Sequence, residues 1–590
     1  MLNNKDNKYE YAILMAAGCL LGILCFVCVY GIKILDFTYD AWLFNWDIDL
    51  KQHYVGWCHF RNNRWQFPVG MIDTLSVPYS MSVVYTDSIP LFAIIFKLFR
   101  DILPAHFQYF GLYGLISFGL MGALSTILVR RFTRNKLLCV ASSLFFIMSF
   151  TVLHRMYYHT ALASQWIIIL ALIIWLYREE DESVVSASKK WGTMAFLCVV
   201  IHSYFVAMTG MILLADTVEK TILEIRRLRK SLSKVNADSS EKKRNYLLIF
   251  AITLKNLIPL EIFCVVTIVT LYILGGFSGA GSVSAGGIGV FGANMNTYIN
   301  PDSMGRILKT MPYATTFQYE GFGYLGAGIL LVYICILIRF FTGFVKEKTD
   351  SENNLNNNWK CYIKRFIVAL TLRRKIVILL CVVSFLAAVF PLFSLNEKVL
   401  FSIPLPKALN SLFGIFRSNG RFIWVSMYVL MLIAIVYAAR HINERFIKAL
   451  FIIALIIQLF DISSFVKTRQ EYFNVKQEFD NPFEEYEKYN IYDNKKSFVM
   501  LYNEISYMME AGMYGYLHNM DLNCFYYART INEEMDATIN AFKDEIRKGI
   551  IRDDTVYIMK GEDYFSEEFS YIVDEDLKIY YLGDYVIFAK

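Results

Sequence analysis

Apolar runs recur along the first 463 residues and then stop. The first covers 11–35. Others follow at about 107–129, 137–153, 160–177, 247–273, 322–342, 376–394, 421–439 and 449–463. A helix needs about 20 mostly apolar residues to cross roughly 30 Å of hydrocarbon, so these runs predict membrane spans. Residues 191–216 carry basic loops on both sides and are predicted to go out and return as two short helices meeting near His202-Ser203-Tyr204. That brings the expected total to about eleven spans. The run at 89–99 is too short to cross; with Pro90 at its start it predicts a half-buried juxtamembrane helix, which Asp87 or Ser88 would cap. After 463 the pattern changes. Residues 497–502, 555–559, 571–573 and 577–588 read as strands, and 505–518 and 533–548 as helices, which predicts a small α/β domain.

Composition agrees with a membrane protein. The 590 residues are 56% hydrophobic and 19% charged, too little charge for a soluble chain of this size. Charge then orients the spans. Residues 464–590 hold 14 Lys and Arg against 25 Asp and Glu, so the tail is −11 and the remainder +17 of an overall +6. Lys5 and Lys8, the cluster Arg130, Arg131, Arg134 and Lys136, and the basic loops 217–245, 343–375 and 440–448 belong inside by the positive-inside rule. The first loop, 36–88, has six Asp against three Lys and Arg and belongs outside, as do 274–321, 395–420 and the acidic tail. The N-terminus is thus expected inside, with 11–35 a retained first span. The division is a transmembrane domain, 1–463, and an extracytoplasmic domain, 464–590. This charge pattern is not a nucleic-acid footprint. The Asn-rich stretch 351–358 reads as a linker, and the cysteines mostly as buried small hydrophobes.

Candidate chemistry is densest in the first outer loop, where Asp40, Asp47, Asp49 and His53 lie among tryptophans. A carboxylate there can act as general base; the plainer reading is an interfacial loop with solvated acids. His154, Arg155 and His159 sit at the turn after the third span, suited to phosphate or to snorkelling. Arg417 and Arg421 oppose the charge bias of the outer side, which suggests an anionic partner or pairing with the acidic tail. Glu320 would bind a sugar hydroxyl or an arginine. The glycine-rich stretch 275–292 lacks the context of a phosphate-gripping loop and reads as a mobile loop, a candidate lid.

With these residues in place the chain resembles the GT-C superfamily of polytopic glycosyltransferases, and within it an uncharacterised bacterial family of GT-C-like membrane proteins. The matching stretches are DLKQHYVGW (49–57), TDSIP (86–90), HTALASQW (159–166), QYEGFGYLGAG (318–328) and FRSNGRFIW (416–424). The resemblance implies a GT-C-like fold and a base in the first outer loop, with Asp49 first and Asp40 its rival. It implies Asp87 as a second acid and Arg417, Arg421 and Arg155 on the donor phosphate. Asp47, His53, His154, His159, His202, Glu320 and Gln318 would line the cavity. Some members use a divalent metal, Mg or Mn, and others none; the sequence leaves this open.

The implied activity is inverting transfer of a sugar from a polyprenyl-phosphate donor to a glycan, lipid or protein acceptor outside a bacterial cytoplasmic membrane. Two other readings share the same features: a non-enzymatic exporter or flippase of lipid-linked glycans, and a structural or sensory protein acting through its tail.

Overall fold

A computed structural model describes residues 4–45, 47–232, 239–278, 288–349, 370–442, 444–527, 531–566 and 576–590. Trp46, the linker 351–358, the strand expected at 571–573 and the centre of the glycine-rich loop, 279–287, lie outside the described residues. The helices run α1 (Asn4–Tyr30), α2 (Ile48–Asn62), α3 (Pro90–Lys97), α4 (Phe110–Arg130), α5 (Lys136–Ile147), α6 (Phe150–Tyr158), α7 (Trp166–Leu176) and α8 (Val184–Ile201). They continue as α9 (Tyr204–Leu232), α10 (Ser239–Ile273), α11 (Ala327–Thr349), α12 (Leu372–Val389), α13 (Ile423–His441), α14 (Glu444–Asn474), α15 (Met508–His518) and α16 (Asn532–Arg547).

Among the described residues six helices are long and apolar enough to cross a membrane, and a seventh if α5 and α6 count as one span bent by 46°. This is fewer than the eleven expected, for identifiable reasons. The run at 137–153 breaks at Met148–Ser149. The run at 160–177 opens with a 3-10 turn and leaves α7 only 11 residues. The run at 322–342 becomes α-helical only at Ala327. Helix α12 carries Arg373, Arg374 and Lys375 in its first turn. The out-and-back pair breaks at His202 and Ser203 as anticipated, but α8 and α9 are full-length helices of 18 and 29 residues. Helix α14 continues past 463 to Asn474, so the last apolar run and the start of the acidic tail are one rod.

Helix α1 lies along α4 with backbones nearly touching. A Cβ on Gly22 would stand 2.0 Å from the Phe118 carbonyl oxygen, and one on Gly122 2.0 Å from that of Gly18. Where lipid is as apolar as the helix, close packing of small residues does the associating. Gly22→Val is expected to lower the thermal midpoint in detergent, at a cost of about 1–3 kcal/mol from overpacking. A midpoint equal to wild type would show that this contact is not tight.

The basic ends gather at one end of the bundle through ion pairs. Glu10 of α1 meets Arg130 at 2.8 Å and Lys136 at 3.7 Å. Arg178 meets Asp216 and Glu219 of α9, and Glu219 also meets Arg373 at 2.8 Å. At the other end of α8 and α9 the loops and short helices build a chamber.

The C-terminal region is a mixed five-stranded sheet of β5 (Ser497–Met500), β6 (Asp521–Leu522), β7 (Thr555–Lys560), β8 (Lys578–Leu582) and β9 (Tyr585–Ala589), in spatial order β6-β5-β7-β9-β8. Two hairpins precede it in the chain, β1 (Met71–Ser76) with β2 (Tyr79–Ser82), and β3 (Leu392–Leu395) with β4 (Lys398–Ser402). Strands β5, β6 and β7 are parallel; β7–β9 and β8–β9 are antiparallel. The strands alternate between two cores. Val499, Tyr557, Met559 and Phe588 pack with Ile546 of α16. Phe498, Met500, Val556, Ile558 and Ile587 join the main core. Both faces are covered, which explains apolar runs in place of strict alternation. The strand read at 577–588 is a hairpin, and β6 had no counterpart in the sequence reading.

The domain sits directly on α2. Lys51 pairs with Glu510 at 2.8 Å, His59 Nε2 lies 2.8 Å from the Gly512 carbonyl, and Gln52 Nε2 donates to the Tyr526 carbonyl at 3.1 Å.

Candidate active site

A chamber of about 1040 Å³ collects residues from segments spread over the whole chain. Its first wall is the start of α2. Asp47 is the N-cap of that helix and accepts the Asp49 N–H at 2.9 Å. Capping holds the first turn so that Asp49 and Gln52 face the chamber. No protein donor among the described residues reaches the Asp49 carboxylate. Burial pushes its carboxyl up to about 7, reinforced by the negative charges of Asp47, Glu320 and Asp87 and opposed by Arg421.

Asp87 forms the next part. It has φ 51° and Ile89 φ 54°, left-handed conformations that are costly away from glycine. The expected helix cap is not made: Ile89 holds the N-cap position of α3 with no side-chain bond. The loop is pinned elsewhere. Ser88 Oγ donates to the His53 carbonyl at 2.7 Å, and Tyr109 OH donates to the Ser88 carbonyl. This aims Asp87 at two histidines, with Oδ2 3.2 Å from His159 Nε2 and Oδ1 3.4 Å from His202 Nε2. His159 follows α6, and His202 occupies the break between α8 and α9.

Another part of the wall is cationic. Glu320, on a 3-10 turn at Gln318–Gly321, accepts Arg155 Nη2 at 2.7 Å and Arg421 Nε at 2.8 Å on the same oxygen, Oε2. Burial raises the Glu320 carboxyl, but the two guanidiniums outweigh it and hold the group well below the usual carboxylate range. The trio carries one net positive charge. Arg421 also lies over the Tyr204 ring at 4.6 Å. Arg417 lies over Phe291 at 5.2 Å and has no carboxylate partner among the described residues. His154 stacks on Tyr158, with ring centroids 4.2 Å apart, and lines the chamber too.

Three sequence candidates stand apart from the chamber lining. Asp40 accepts Tyr54 OH at 2.8 Å and pairs with His106 at 2.9 Å. Gln318 is buried in a polar knot, donating to Ser394 Oγ at 2.7 Å and accepting from Asn294 at 3.0 Å. His53 lies behind the wall at 0% exposure, 4.5 Å centroid to centroid from His159.

The chamber also contains residues that sequence reasoning missed. Arg469 of α14 stands 4.1 Å over the Tyr157 ring and borders the cavity, as do Asp302 and Tyr526. Carrying the apolar spacing of Ile462, Phe465 and Phe473 through the end of the last run would have kept Arg469 on a helix facing the core. Nothing local in the sequence points to Tyr526. One flank of the chamber is apolar and comes from Thr267, Ile268 and Leu271 of α10, where Ile268 is 56% exposed.

Such a site can take a proton at Asp49, bind an anion at the arginine wall and accept an apolar chain along α10. No curated protein matches the chain. The family of a domain of unknown function, DUF6311, matches residues 19–463, and the DUF6311 C-terminal domain matches residues 483–590. The chain therefore belongs to the DUF6311 family.

Proposed function

We propose that the protein is an inverting glycosyltransferase that moves a sugar from a polyprenyl-phosphate donor to an acceptor at the outer face of a bacterial cytoplasmic membrane. The observation that carries this reading is the pairing, within one chamber, of a carboxylate at Asp49 that no donor among the described residues reaches with an arginine wall at Arg417, Arg421 and Arg155. Asp49 takes the proton of an acceptor hydroxyl. The acceptor oxygen bonds to the anomeric carbon from the face opposite the phosphate, and the carbon–oxygen bond to phosphate breaks. The electron pair leaves on the phosphate oxygen, where arginines stabilise the charge.

The two kinds of arginine divide the work. Arg155 and Arg421 are held rigid by Glu320 and contribute a fixed field. Arg417, with no carboxylate partner among the described residues, is the residue whose planar fork suits the phosphate. The exposed face of α10 lets the isoprenoid remain against lipid while its head enters the chamber. Asp87 orients the acceptor side through His159 and His202.

Lipid mass spectrometry tests the reading. Cells lacking this chain are expected to accumulate a polyprenyl-phosphate sugar that disappears when the chain is restored. An unchanged lipid profile, with surface glycans also unchanged, would overturn it.

A further inference from the structure

We propose that His53, Asp87 and His159 form a binding site for a borderline divalent metal ion of the Zn²⁺ class, set in the chamber wall with one position open to the chamber. The inference goes beyond the sugar-transfer reading and stands on the cluster's own geometry.

The first observation is distance. Each residue offers one ligand atom, and the three atoms lie within 4.8 Å of one another. Ligands about 2.1 Å from a shared ion stand roughly 3–4 Å apart, so small ring rotations complete the site.

The second observation is unmet bonding capacity. His53 is 0% exposed, yet among the described residues neither of its ring nitrogens has a hydrogen-bond partner. His159 Nδ1 is likewise buried without a partner among them, while its Nε2 faces Asp87. Buried polar atoms are normally satisfied, and an orphaned group needs a reason. A metal ion supplies a reason for one nitrogen of His53, because it takes one lone pair from each neutral imidazole it binds.

His202 has a different role, which its tautomer decides. The Tyr204 N–H donates to His202 Nδ1 at 3.2 Å, so that nitrogen carries no proton. The proton then sits on Nε2, the nitrogen 3.4 Å from Asp87 Oδ1. His202 is therefore a positioning residue that orients the carboxylate, as outer partners of metal ligands do. The left-handed backbone at Asp87 and the Ser88 bond to the His53 carbonyl tie the ligand loop to the ligand helix.

The donor set selects the ion. Two imidazoles and one carboxylate suit Zn²⁺, Co²⁺ or Mn²⁺, whereas Mg²⁺ and Ca²⁺ prefer an all-oxygen shell. Three protein ligands leave a position for an outside oxygen, and Asp87 and His159 both border the chamber that would supply it.

The test uses the untagged full chain in detergent, stripped with chelator and titrated with Co²⁺. The expected result is one retained equivalent with visible ligand-field bands, displaced by Zn²⁺ and unaffected by Mg²⁺. His53→Gln and His159→Gln are expected to weaken Co²⁺ binding by more than about 100-fold, and His202→Gln by roughly 10-fold, in line with its outer role. Zn²⁺ should raise the thermal midpoint of wild type but not of His53→Gln. A wild-type chain that retains no Co²⁺ overturns the proposal whatever the variants do, and so do variants that bind as tightly as wild type. The readout is metal occupancy, so a chain that binds Co²⁺ but transfers no sugar would sink the transferase reading alone.

Discussion

Asp49→Asn is expected to lower sugar transfer by about 10²- to 10⁴-fold, the usual loss when a general base is removed. The same substitution should make the protein more stable at pH 8, not less. Burial and neighbouring acids push the Asp49 carboxyl up to about 7 in the folded chain, against 3.8 when unperturbed. Below pH 4 the group is protonated in both states and costs nothing. Between pH 4 and pH 7 the unfolded chain sheds this proton first, so folding stability falls as pH rises, and above 7 the full penalty is in place. Asparagine carries no such penalty. The variant's thermal midpoint should exceed wild type by about 1–3 °C at pH 8, a small shift because the chain is large, and should match it near pH 4. Wild-type kcat/KM should rise about tenfold per pH unit and level off above 7. Unchanged transfer by Asp49→Asn, or a pH profile flat from 5 to 8, would remove Asp49 from the base role.

The largest effect on folding is expected at Glu320. Glu320→Gln keeps the shape of the side chain but leaves Arg155 and Arg421 buried side by side without the carboxylate that both are bonded to. Removing one partner of a buried ion pair costs about 3–5 kcal/mol, because the remaining charge stays desolvated. Here two guanidiniums lose the same partner. The chain should lose yield and monodispersity, and its thermal midpoint should fall well below that of Gly22→Val. A double variant, Glu320→Gln with Arg421→Met, should recover part of the loss by removing one of the stranded cations. The pair also sets an acid limit. The folded Glu320 carboxyl lies below its ordinary range, so its contribution is present above pH 4.5 and is lost only as pH falls through the lower folded value. A midpoint within 1 °C of wild type for the single variant would show that the arginines find other partners.

Particular residues show how far the chain could be read before folding. The basic clusters near 130 and 373 were legible as lying on one side, because loop charge follows a rule of composition. The acids that pair with them, Glu10 for Arg130 and Glu219 for Arg373, were not. The break at His202 was legible from the conflict between its flanking loops. The two helices and most strands of the tail were legible from apolar spacing. The number of spans was not, since a run of apolar residues does not record where a helix bends, starts late or tightens into a 3-10 turn. Met148–Ser149 and the extended stretch before Ala327 are such places.

Asp40 and Asp49 mark the boundary most clearly. Both are acids in the same loop among the same aromatics, and nothing local separates them. Tertiary structure turns one toward Tyr54 and His106 and sets the other in the chamber wall, beyond reach of any donor among the described residues. Sequence alone therefore determined that the chain is rich in membrane-length apolar helices, which way its charges are distributed, and that a compact mixed domain follows them. Those properties are sums over neighbouring residues. Only the folded structure decided that His53 meets Asp87 and His159, that Glu320 clasps two arginines, and that Tyr526 borders the cavity. These contacts join positions tens to hundreds of residues apart, and they depend on helix crossings and left-handed turns that no local pattern encodes.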